Sequence, residues 1–215
     1  MRSKFDEELN SLNIELTEMG ELISERVHGA VHALKDQDIE TAKFVMDNDD
    51  DVNDYERRIE ERALKLLLRQ QPVACDLRFI SSALKMITDM ERIGDHAVDI
   101  AEIVLSMPES VHDKSFEKLG KMSEASMEML TESLKSFVTG DLTLVDRVSR
   151  HDEIVDHFFV EVRKEVIEEI RKGVADAEYA IDAIMIAKYL ERIGDHAENI
   201  SEWVAFSITG VHVQK

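Results

Sequence analysis

The heptapeptide Glu91-Arg92-Ile93-Gly94-Asp95-His96-Ala97 occurs a second time, letter for letter, as Glu191-Arg192-Ile193-Gly194-Asp195-His196-Ala197. Ile100/Ile200, Glu102/Glu202 and Val104/Val204 carry the identity further. A match at a fixed period marks a duplicated structural unit, so whatever fold one half adopts the other must adopt as well.

The repeated stretch reads as a helix. Ile80, Ala83, Leu84, Ile87 and Met90 recur at three and four residues and are followed by Ala97, Ile100, Ala101 and Val104. Ala180, Ala183, Ile184, Ala187, Leu190, Ala197, Ile200 and Val204 do the same in the second copy. This is one apolar stripe at the helical period. Glu91 stands four residues after Ile87 and Asp95 four after Glu91, so the acids lie along the stripe or at its edge; Asp99 (Asn199 in the second copy) and Glu102/Glu202 extend the file.

Carboxylates at that spacing on a face leaning toward a core repel one another and lose hydration. An arginine, a hydrogen-bond network, a shared proton or a metal cation has to compensate. Gly94 and Gly194 each cost about 1 kcal/mol against alanine in a helix interior. A glycine at the same place in both halves implies that another backbone comes close there.

With 215 residues the chain has material for two units of about 100 residues each. Only two prolines and eight glycines leave little for a turn-rich β protein, and the helical periodicity argues for an all-α fold. A formal net charge of −20 disfavours nucleic acid and acidic lipid as direct partners and attracts cations. Cys75 stands alone, which suits a reducing compartment, and it reads as a buried thiol near the start of the third helix. The amino-terminal residues lack the apolar core of a signal peptide, and no apolar run reaches the length of a membrane span, so the expected location is the cytoplasm without direct membrane insertion.

In chain order, a first helix spans 3 to about 35, with Asp38 as a cap for a second that runs to about Gln71. Pro72 punctuates, and a third helix covers about 74 to 107. Residues 108–113 read as the interdomain linker. A fourth helix spans roughly 114–139, Gly140-Asp141 supplies a stop and a new cap, a fifth helix ends at Gly173, and a sixth runs from about 176 to 208. Short loops between long helices give an up-down-up bundle in each half. The expectation is therefore all-α, two tandem, pseudo-symmetric three-helix bundles, the first over 1–107 and the second over 114–210.

A second acidic file lies on the second and fifth helices. Aligning apolar residues pairs Asp49 with Asp152 and Asn53 with Asp156, flanking the stripes through Val52 and Val155. An alternative register takes Asp50 and Asp54, about 100° further round the helix; the first places the acids nearer the core. Glu56 and Glu60 continue the file in the first half only, where the second has Phe159 and Arg163. Antiparallel packing brings these files level with Glu91/Asp95 and Glu191/Asp195, giving each half a set of oxygen donors suited to a hard cation or a carboxylate-bridged cluster. His96 and His196 then act behind the ligands or at the surface. Against this, the run Asp47 to Asp51 reads as a solvated face, and Arg92 and Arg192 could pair locally with the acids. The methionines sit at helical spacing and read as core.

No phosphate-cradling glycine loop, His-Glu-x-x-His or Gly-x-Ser-x-Gly motif occurs. His28 and His32 are four apart on the first helix, a spacing that can be incidental. A ferritin-like di-iron site would need Glu-x-x-His on two bundle helices; Glu25-Arg26-Val27-His28 meets this, but Glu109-Ser110-Val111-His112 sits in the linker.

The doubled Glu-Arg-Ile-Gly-Asp-His with Asp99 or Asn199 following, the segment Gln71-Pro72-Val73-Ala74-Cys75-Asp76-Leu77-Arg78, the start Phe5-Asp6-Glu7-Glu8-Leu9 and the acidic starts of the second and fifth helices together resemble the PhoU family. The resemblance covers nearly the whole chain. It implies two tandem three-helix bundles with Glu/Asp-x-x-x-Asp motifs that hold metal clusters, iron or zinc among them. It further implies a cytoplasmic protein, commonly a homodimer, acting with a phosphate transporter's ATPase subunit and a sensor histidine kinase as a negative regulator rather than an enzyme. Carried over, the first cluster would use Asp49, Asn53, Glu91, Asp95 and Asp99, and the second Asp152, Asp156, Glu191, Asp195 and Asn199. Asn53, where an acid is as readily expected, and Phe159 opposite Glu56 put equal metal occupancy of the two halves in question. The rival expectation is a di-metal carboxylate, ferritin-like enzyme or metal store.

Overall fold

The computed structural model describes residues 2–47, 50–69, 72–107, 114–173 and 177–212. Seven helices make up the described chain: α1 (Arg2–Asp36), α2 (Ile39–Asp47), α3 (Asp50–Arg69), α4 (Ala74–Ser106), α5 (Lys114–Thr139), α6 (Thr143–Lys172) and α7 (Ala177–Thr209). The second helix of the sequence reading is thus described as two segments, α2 and α3; Asn48 and Asp49 fall outside the described residues, as does the expected linker at 108–113.

The punctuation follows local chemistry. Asp38 accepts from the amide nitrogens of Glu40 and Thr41, each at 3.1 Å, and so caps α2. Asp141 does the same ahead of α6 by accepting from the Thr143 amide at 2.9 Å. Gly173 ends α6 with φ +69°, a left-handed conformation that glycine adopts at no steric cost.

Helices α1 to α4 pack among themselves as the first bundle, and α5, α6 and α7 pack mutually as the second. The two bundles meet along α4 and α7, which make the most extensive helix–helix contact in the molecule and run antiparallel, and α1 adds a contact with α5. Leu12, Leu16, Met19, Ile23, Ile59, Met86 and Ile93 are fully buried in the first half, as are Leu119, Met122, Ile186 and Ile193 in the second. These residues belong to one continuous core rather than two separate ones. Burying both repeats along a shared seam lets α4 and α7 be apolar over more of their circumference than the outer helices, which explains their wide buried faces.

Two expectations need correction. Cys75 is exposed. It lies in the first turn of α4, where Val73, Ala74 and Leu77 are exposed as well, so that turn projects past the helices that cover the rest of α4. Gly94 and Gly194 do face close neighbours, but these are side chains and not backbone. A Cβ at Gly94 would meet Val52 at 3.3 Å, and one at Gly194 would meet the Met129 sulfur at 3.2 Å.

Candidate metal centre

In the first half α3 and α4 lie side by side, with Val52 seated on Gly94. That contact sets the register of the acids. Glu91 has a side chain only 17% exposed, and Arg92 reaches it at 3.3 Å and Asp95 at 2.9 Å. Opposite, Glu56 of α3 is half-buried. Lost hydration holds its carboxyl above the usual range, Glu60 and Asp95 push it the same way, and Arg92 pulls against them. Arg92 therefore answers Glu91 and Asp95 directly, and Glu56 is eased by both Arg92 and Arg57. Asn53 is half-buried on the same helix, and Asp49, a further first-half candidate, lies outside the described residues.

The second half uses the same backbone plan with different side chains. Glu191 is 15% exposed and is bonded to Lys188 one turn earlier on α7. The Lys188 ammonium also lies 5.4 Å from the centre of the Phe159 ring on α6, within cation–π range. Asp152 is half-buried, whereas Asp156 and Asp195 are exposed.

Asp99 and Asn199, which extend the files by a turn, engage the seam between the halves. Asp99 lies 3.1 Å from Nδ1 of His96. Asn199 donates to Asp89 at 3.2 Å, and Nδ1 of His196 is 2.8 Å from the same Asp89 oxygen. The His96 and His196 rings stand 5.8 Å apart between centroids, and Tyr189 stacks on His96 at 5.5 Å. His96 is buried, which lowers its pKa, although Asp99 pulls in the opposite direction. Burial, followed by Asp99, raises the Tyr189 phenol. Both histidines thus sit in the seam and tie α4 to α7.

Among the described residues no three His, Cys, Asp or Glu side chains are gathered closely enough to hold a metal ion as they stand. The chemistry of the donors still separates the halves. The first offers only oxygen donors, and the guanidinium paired with its two α4 carboxylates, that of Arg92, is 54% exposed and can swing away. That set fits a hard cation. In the second, an ammonium already occupies the inner carboxylate and a phenyl ring stands where Glu56 stands, so the set fits a metal poorly.

Other candidates are scattered. His28 is exposed, and His32 pairs with Asp36 at 3.2 Å. Of the ferritin-like pair, Glu109 to His112 fall outside the described residues. Sequence reading missed Asp89, Lys188 and the buried Arg26, whose guanidinium reaches Asp51 at 3.4 Å and lies over Phe44. It also missed His151, which lies 3.2 Å from both Glu128 and Glu132 in a cleft of about 580 Å³. The signal that could have exposed the first two is where the repeat breaks: Thr88-Asp89 becomes Lys188-Tyr189, one residue ahead of the identical heptapeptide.

Fold and site together define a class: duplicated all-helical proteins in which two pseudo-symmetric three-helix bundles each present an acidic motif from a central helix. A sequence model of the PhoU domain matches residues 16–104 and again 119–204. The chain is 34% identical over 212 residues to the phosphate-specific transport system accessory protein PhoU homolog 1 of Thermotoga maritima, covering 98% of this chain and 91% of that one. It is 32% identical over 213 residues to the PhoU homolog of Clostridium acetobutylicum, covering 99% and 97%. The crystal structure of PhoU from Pseudomonas aeruginosa superposes with a TM-score of 0.92 at 33% identity, over 96% of this chain and all of that one. That of the phosphate transport system regulatory protein PhoU from Streptococcus pneumoniae gives 0.90 at 30% identity, over 98% of this chain. The chain belongs to the PhoU family.

Proposed function

We propose that the chain is a non-enzymatic accessory regulator of phosphate uptake and phosphate-starvation signalling. It acts in the cytoplasm as a negative regulator through a phosphate transporter's ATPase subunit and a sensor histidine kinase, commonly as a homodimer. The observation that carries this reading is the near full-length kinship with proteins named as phosphate-specific transport system accessory proteins. No described helix is long and apolar enough to cross a membrane.

Within this role a divalent or trivalent cation, iron or zinc, would be held by Glu91 and Asp95 of α4 with Glu56, Glu60 and Asn53 of α3. When bound, the cation supplies positive charge and no reaction. The residues themselves do the rest: Glu91 and Asp95 fix the inner edge of the site, and Val52 against Gly94 keeps α3 and α4 at the spacing that lets both helices contribute.

The test is a gene deletion in the native host grown with ample phosphate, paired with affinity capture of the tagged chain. Derepression of phosphate-starvation genes and recovery of the transporter ATPase or the kinase are expected. Normal repression with neither partner captured overturns the regulator. Catalytic iron oxidation by the purified chain would favour a metal store instead.

A further inference from the structure

We infer that metal binding is confined to the first half, because Lys188 is a built-in cation that takes the metal's place in the second. This rests on the metal reading above and deepens it.

The two halves face the same electrostatic problem, since Glu91 and Glu191 occupy equivalent places and are almost equally buried, 17% and 15% exposed. Three substitutions between equivalent positions resolve it in opposite ways. Thr88 is replaced by Lys188, Glu56 by Phe159 and Glu60 by Arg163. The positions of Glu56 and Glu60 thus carry two carboxylates in the first half, and an aromatic ring and a guanidinium in the second.

The structure joins the first two of these changes physically. Lys188 bonds Glu191 on one side and lies over the Phe159 ring on the other. A phenyl face attracts an ammonium and offers a metal ion no lone pair. A cation arriving at Glu191 would have to expel a tethered charge that never leaves the site by dissociation. It would then find a ring where Glu56 supplies oxygen in the other half. In the first half the corresponding cation, Arg92, is 54% exposed against 39% for Lys188, and it serves both Glu91 and Asp95 from the solvent side. Displacing Arg92 into solvent costs less than drawing Lys188 off both Glu191 and the Phe159 ring.

The experiment titrates the chelator-stripped full chain with Zn2+, reading bound metal per chain by equilibrium dialysis with elemental analysis and folding by circular dichroism. The wild-type chain should lose all of its bound metal in the E91A/D95A variant. The K188T/F159E variant, which restores the first-half residues in the second half, should gain metal, up to twice the wild-type amount per chain. K188T alone is the milder companion, and it should gain metal more weakly while remaining folded. Retention of about half the wild-type metal in folded E91A/D95A overturns the inference while leaving the metal reading intact. So does wild-type stoichiometry in folded K188T/F159E. Absence of Zn2+ binding in the wild-type chain overturns both.

Discussion

Asp89 of α4 lies 2.8 Å from Nδ1 of His196 on α7, and the same oxygen accepts from Asn199 at 3.2 Å. One carboxylate in the first half therefore holds two side chains of the second, in a seam where Asp89 is only 13% exposed. The pseudo-symmetric position carries Tyr189, which stacks on His96 instead. The repeats are thus joined by an unlike pair of contacts, hydrogen-bonded at one end and aromatic at the other.

Replacing Asp89 with alanine leaves a half-buried imidazole and amide without their acceptor. The expected cost is about 1–3 kcal/mol, a fall in Tm of about 2–4 °C for each kcal/mol in a chain of this size. Asp89→Asn keeps an acceptor and should lose less. Thermal melts followed at 222 nm decide; an unchanged Tm for Asp89→Ala would mean the seam does not depend on this contact.

Gly94→Ala and Gly194→Ala should differ although the surrounding heptapeptides are identical. A new methyl at Gly94 presses on Val52, a β-branched side chain with one comfortable rotamer, while at Gly194 it meets the flexible Met129. Gly94→Ala should destabilise by about 1–3 kcal/mol through overpacking. At Gly194 the helix-propensity gain of about 1 kcal/mol should roughly offset the adjustment of Met129. Urea denaturation of the two variants checks this, and equal losses would contradict it.

Glu56 provides a pH-dependent readout in the metal-free protein. Its folded carboxyl is raised above the ordinary 4.5, chiefly by burial and then by Glu60. The unfolded chain therefore releases this proton first, and stability from this group is lost as pH rises from about the ordinary value through the folded one. Glu56→Gln should raise Tm at pH 7 and leave it almost unchanged near pH 4. A lower Tm at pH 7 in the chelated variant would show that the charge is already compensated.

Metal should stabilise the folded chain by mass action. At a free Zn2+ concentration about 100 times its dissociation constant the gain is about 2.7 kcal/mol per site. The rise in Tm should vanish in E91A/D95A while the helix signal persists, because the helices rest on the buried stripe and not on the acids. A rise of the same size in that variant would place the cation elsewhere.

Much of this architecture could be read from the chain because it depends on neighbours three or four residues away. The stripe through Ile80, Ala83, Ile87 and Met90 gives α4, Asp38 caps α2 through Glu40 and Thr41, and Gly173 ends α6 by taking a left-handed conformation. The acids at Glu91 and Asp95 were placed at the edge of the stripe by the same arithmetic, and their partial burial agrees. Cys75 could not be placed this way: periodicity says which face a residue takes, not whether another helix extends far enough to cover that turn.

The sequence by itself determined that the molecule is a doubled helical bundle with twin acidic files, since helical period and repetition are local or self-referential properties. Only the tertiary structure decided which charges answer those files. Arg92 serves Glu91 and Asp95 from its own helix, but the company of Glu56 depends on how α3 lies against α4, and the position of Lys188 over Phe159 on how α6 lies against α7. The pairing of Asp89 with His196 likewise spans 107 positions. Contacts of that range arise from how helices dock along their apolar stripes, and docking depends on the shape of every side chain in the interface at once.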